Sequence, residues 1–121
     1  MGAALQVNQA IDRIAELAGS PVAIDGLLSF EFENMSLEHL PKGERRDDLS
    51  HGYASSVWLA FSGGSMEPNE TLLRRWSGKR VRVTGILHAP GPDGGCGHMS
   101  MWRAEVQPYS IERVNAQGEP E

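Results

Sequence analysis

The sequence predicts a mainly β protein: one domain built on a strongly curved sheet that closes on itself, with an added N-terminal helix. Three observations carry this. First, Val22-Ala-Ile-Asp-Gly-Leu-Leu28 is echoed by Val81-Arg-Val-Thr-Gly-Ile-Leu87. Each alternates apolar and polar residues, the period of a half-buried strand. Each then places a glycine inside the run, where a strand bends or another backbone comes close. Second, after the N-terminal helix the elements read strand, strand, strand, helix, strand, strand. Third, a chain of 121 residues, 40% hydrophobic and 22% charged, suffices for one modest core.

The elements follow in order. Residues 1–20 form the N-terminal unit, helical over 3–18. There Ala4, Val7, Ile11, Ile14 and Ala18 make one stripe, and Gly19 and Pro21 stop it. That stripe packs on its own domain, with a homodimer contact as the competing use. The first strand runs from Val22 to Glu33. Val22, Ile24, Gly26, Leu28, Phe30 and Phe32 share its inner face, and a bend falls at Gly26. Asn34 turns the chain into a short strand, Met35–Leu40, ended by Pro41. Residues 42–52 form a charged loop with balanced signs, the composition of a solvated surface.

Ala54–Phe61 is the third strand, with Val57, Leu59 and Phe61 inward. Asn69 caps a short helix that ends at Trp76, with Gly78 at its C-terminal cap. Lys79–His88 is the fourth strand, bent at Gly85. The Pro/Gly-rich run 89–97 is a loop. A last strand, bulged near Pro108, covers His98–Val114, and 115–121 is a flexible tail. The expected core is Val22, Ile24, Leu28, Phe30, Val57, Leu59, Phe61, Leu72, Trp76, Val81, Val83, Leu87 and Val106. Trp76 should cover one end of it.

The run Leu72-Leu-Arg-Arg-Trp-Ser-Gly-Lys-Arg-Val-Arg-Val-Thr-Gly-Ile-Leu87 resembles the helix and fourth strand of the OB-fold, the oligonucleotide/oligosaccharide-binding superfamily. Val22–Leu28 resembles its bent first strand. The resemblance covers residues 20–114, and its weakest part is the second strand. It implies a five-stranded OB-like barrel over 21–114, with a short helix between strands 3 and 4. It also implies that the two glycine-bearing strands are neighbours. The segment Gly95-Cys-Gly-His-Met-Ser-Met-Trp-Arg-Ala-Glu-Val106 is similar to the last-strand region of small uncharacterised bacterial proteins. The fold hosts many ligands and does not name one.

Composition narrows the function classes. A net charge of −5 disfavours a general binder of phosphate backbones, whose affinity rests on Lys and Arg. No run approaches the ~20 apolar residues of a membrane span. Met1-Gly-Ala-Ala-Leu-Gln lacks the features of a signal peptide, and position 6 lacks the Ser or Thr of a myristoylation site. The one cysteine, Cys96, excludes an internal disulfide, so a cytoplasmic location is expected. No nucleophile elbow, phosphate loop or dinucleotide signature is present, so no enzyme activity and no cofactor is expected. Cys96-Gly-His98 offers two zinc-ligand types without the paired spacing of a zinc module, and the expectation is no metal.

The expected function is therefore a non-enzymatic binding module with a protein partner, such as an immunity, inhibitor or regulatory protein facing a basic toxin. Opposite charge would speed encounter and reject wrong partners. Glu31, Glu33 and Glu38, with Asp47, Asp48, Glu67 and Glu70, carry that expectation. The alternative is a single-stranded nucleic-acid-binding domain. There His51, Tyr53 and Trp58 would stack on bases while Arg45, Arg46, Lys79, Arg80, Arg82 and Arg103 neutralise phosphate.

Overall fold

A computed structural model of the protein describes residues 4–46, 53–92 and 94–121. The chain runs β1 (Leu5–Gln6), α1 (Val7–Asp12), α2 (Ile14–Leu17), β2 (Pro21–Glu31), β3 (Asn34–Glu38), β4 (Ser56–Leu59), α3 (Glu70–Trp76), β5 (Arg80–His88) and β6 (Glu105–Arg113). Short 3-10 turns cover Lys42–Glu44 and His98–Ser100. β2 pairs antiparallel with β3, β3 with β4, β5 with β6, and β5 back with β2; β4 and β6 pair in parallel. These pairings close the sheet into a ring, and β1 adds to it in parallel beside β2.

The two glycine-bearing repeats pair with each other. Val22 lies opposite Gly85 and Gly26 opposite Val81, so each glycine faces the valine that begins the other motif. Both glycines stand where backbones crowd. A Cβ on Gly26 would sit 2.7 Å from the Glu38 carbonyl oxygen. At Gly85 the register of β5 against β6 slips: Thr84 faces Ser110 while Gly85 faces Pro108. Tyr109 is the extra residue of this bulge, which lies where Pro108 marked it.

Ten of the thirteen expected core residues are buried: Val22, Ile24, Leu28, Phe30, Val57, Leu59, Val81, Val83, Leu87 and Val106. Phe61 and Trp76 are half-buried at the margin of that core, and Leu72 is half-buried too. In α3 the fully enclosed side chain is Leu73, so Leu73 takes the place expected of Trp76. The Asn69 side chain caps this helix by accepting from the Leu72 N–H at 3.1 Å.

Several boundaries differ from expectation: β3 is Asn34–Glu38 where Met35–Leu40 is expected, and β4 is Ser56–Leu59 where Ala54–Phe61 is expected. The N-terminal helix starts later and is broken at Arg13, because Leu5 and Gln6 are taken up by pairing with Ile24 and Asp25. Val7, Ala10 and Ile11 are buried in the chain's own core. β2 stops at Glu31, since Phe32 and Glu33 form a two-residue turn that pairs Glu31 with Asn34. Phe32 therefore leaves the inner face and is 91% exposed. The last strand begins at Glu105, not His98, because Cys96 and Trp102 pair across a separate small hairpin. The tail folds back, with Val114 opposite Pro120 and the Gly118 carbonyl accepting from Arg82 Nη2 at 2.7 Å.

The start of the charged segment is stapled to α1. The buried His39 accepts the Asn8 backbone N–H at its Nδ1 (3.0 Å), which places its own proton on Nε2, 3.2 Å from Glu44 Oε1. Asn8 Nδ2 donates to the Glu44 carbonyl, Arg45 Nε to the His39 carbonyl, and Arg46 holds Asp12 with two bonds of 2.6 and 2.7 Å.

Candidate binding surface

Two tips meet at one end of the ring. One is the Phe32–Glu33 turn between β2 and β3. The other is residues 97–101, held at its base by reciprocal backbone bonds between Cys96 and Trp102 of 2.8 and 3.0 Å. His98 Nε2 reaches Glu33 Oε2 at 3.5 Å and ties the tips together. Glu33, Met99 and Ser100 take left-handed backbone conformations, with φ of 62°, 60° and 56°. Such conformations are uncommon for residues other than glycine and gather at binding and active sites. They turn large apolar side chains outward: Met99 is 75% and Met101 40% exposed, beside Phe32.

An aromatic cluster supports the second tip. Trp102 is buried, stacks on Tyr53 at 4.0 Å between centroids, and meets Trp58 at 4.7 Å and 57°. Its indole N–H donates to the buried Ser56 hydroxyl at 2.9 Å, so the ring's polar atom is satisfied. The Gly97 backbone lies so close to the Trp58 ring that a Cβ there would approach it to 2.7 Å. Tyr53 and Trp58 thus spend ring surface on Trp102 and Gly97.

Two clefts flank the joined tips. One, of about 520 Å³, is lined by Phe30, Met35, Trp58, Gly97, Glu31, Glu70 and Arg74. The other, of about 620 Å³, is lined by Tyr53, Trp102, Asn34, Met99 and Met101. Phe32, Glu33 and His98 border both. Both are open depressions in the surface rather than enclosed cavities.

The structure brings Glu31, Glu33, Glu70, Tyr53 and Trp58 to this end. It places Glu38, Arg45 and Arg46 elsewhere. Burial pushes the Glu38 carboxyl above its usual range, against the pull of Arg45 and the hydroxyls of Ser36 and Ser56, so Glu38 is not a free surface charge. Arg46 is committed to Asp12. Asp47, Asp48 and His51 lie outside the described residues. Phe32, Met99, Met101 and Trp102 were not in the expected site. Phe32 has the parity of a core position, and only the location of the turn reveals otherwise.

Cys96 and His98 face different partners: the thiol lies beside Glu105, the imidazole beside Glu33. Among the described residues no group of three His, Cys, Asp or Glu side chains is placed to hold a metal ion. Burial, then the charge and hydrogen bond of Glu105, push the Cys96 thiol up to about 12. The protonated thiol is a poor nucleophile at neutral pH. No protein-family model matches the chain, and comparison with curated proteins gives no match.

Proposed function

We propose that the protein is a non-catalytic binding module on an OB-like barrel, and that it engages a protein partner through the surface around Phe32, Met99 and Met101. The observation that carries this reading is the convergence of three exposed apolar side chains on two joined tips. Contiguous exposed apolar area rimmed by polar groups marks interaction surfaces. In OB-folds the loops joining strands 1–2 and 4–5 bind oligonucleotides and oligosaccharides. On the OB-like reading the Phe32–Glu33 turn and the β5–β6 connection correspond to those loops, a correspondence that favours a binding role without choosing the protein partner over nucleic acid. An immunity, inhibitor or regulatory role belongs to this reading.

The test is the double variant Phe32→Ser/Met99→Ser. Both side chains are solvent-facing, so the thermal midpoint should stay within a few degrees of the parent. Capture of a specific partner from native lysate should be lost. Retained capture by the folded variant would refute the surface. The alternative, single-stranded nucleic acid, draws on Trp58 and Tyr53 near the clefts. Affinity for an oligothymidylate that falls steeply with salt would favour that alternative and displace the protein partner.

A further inference from the structure

The cleft beside Trp58 has an apolar floor and an acidic rim. Phe30, Met35 and Trp58 form the floor, while Glu31, Glu33 and Glu70 supply three carboxylates. The opposing charges are few. Arg74 also lines the cleft, 3.6 Å from Glu70 with both side chains exposed, and among the described residues the ion-pair partner of Glu33 is His98. Glu31 has no ion-pair partner among the described residues. The chain as a whole carries a net charge of −5, so its field has the same sign as the rim.

We infer that this cleft receives a lysine or arginine side chain of a partner polypeptide, with apolar partner residues seated on Phe32, Met99 and Met101 next to it. This deepens the protein-partner reading and rests on it. A long cationic side chain suits such a site because its stem is apolar and its head charged. The stem covers the floor, and the head meets the carboxylates in charge-assisted hydrogen bonds. A phosphate-bearing ligand would meet three carboxylates of its own sign. A small inorganic cation would leave the neighbouring apolar surface uncovered. A basic segment with apolar neighbours satisfies both clefts, and the long-range field speeds its arrival.

The test uses three synthetic pentapeptides at low salt: acetyl-Leu-Arg-Leu-Arg-Leu-amide, its Arg-to-Gln analogue and its Arg-to-Glu analogue. Binding is read from the NMR resonances of Phe32, Glu33, His98, Met99 and Met101. The arginine peptide should shift these resonances and bind about tenfold more tightly than the glutamine peptide. The glutamate peptide should shift none of them. In Glu31→Gln/Glu33→Gln/Glu70→Gln, whose changed side chains are exposed, the arginine peptide should weaken to the level of the glutamine peptide. Equal binding of the arginine and glutamine peptides at these residues overturns the cationic side chain and leaves the protein-binding surface standing. Undiminished arginine-peptide binding by the folded triple variant does the same. Shifts from none of the three peptides overturn the inference and count against the surface as well. The comparison among peptides on the parent protein decides the matter even if the triple variant fails to fold.

Discussion

His39 shows how much a single residue can hold in this protein. Its ring is buried, its Nδ1 accepts the Asn8 backbone N–H, and its Nε2 faces Glu44. His39→Ala would leave that N–H buried without a partner and open a cavity, so it should cost about 2–3 kcal/mol. His39→Asn keeps an acceptor close to the Nδ1 position and should cost less. Urea unfolding of the two variants checks this, and equal destabilisation would show that volume, not the hydrogen bond, is what matters. Nothing around His39 in the sequence announces this role. It is followed by Leu40 and Pro41, and its partner lies 31 residues earlier in the chain. Phe32 is the converse case. Its parity with Val22 and Phe30 reads as core, yet a two-residue turn sends it into solvent.

At the scale of elements, the repeated glycine strands were the most legible part of the chain. Their alternation gave the inward faces of β2 and β5, and their glycines fell where neighbouring backbones come close. A Cβ on Gly85 would lie 2.1 Å from the Gln107 carbonyl oxygen, a backbone atom that cannot swing aside. Gly85→Ala should therefore destabilise by about 3 kcal/mol, the upper end of overpacking costs. Gly43→Ala, where no atom lies within 4 Å, should be nearly neutral. Thermal unfolding of the pair is the measurement, and a neutral Gly85→Ala would contradict the crowded bulge. The N-terminal helix was legible only in part. Its apolar stripe is real at Val7 and Ile11, but pairing of Leu5 and Gln6 with β2 is a long-range event that local periodicity does not encode. The hairpin closed by Cys96 and Trp102 was missed for the same reason.

For the whole molecule, electrostatics depends on where the ring places each charge. Asp25 and Arg82 lie one in each of the two repeats; in the fold they are cross-strand partners, joined at 2.7 and 3.0 Å, and Arg82 also holds the tail. Glu38 is instead held in a partly buried setting that raises its pKa. The folded chain then binds a proton at Glu38 more tightly than the unfolded chain does. Its contribution to stability is full below the unfolded value and is lost as pH rises through the raised folded value. Glu38→Gln removes that dependence, so its stability relative to the parent should improve from pH 4 to pH 7. A difference between the two proteins that stays constant over that range would contradict the raised pKa. By itself the sequence determined the β class, the inward faces of the principal strands, the cap of α3 and the neighbourhood of the bulge. These follow from side-chain period, capping chemistry and glycine or proline geometry, all local properties. Only the tertiary structure decided which acids stay exposed, that Trp102 fills the space between Tyr53 and Trp58, and that Phe32, Met99 and Met101 share one surface. Those outcomes depend on register and loop closure between segments far apart in the chain, and no local pattern specifies them.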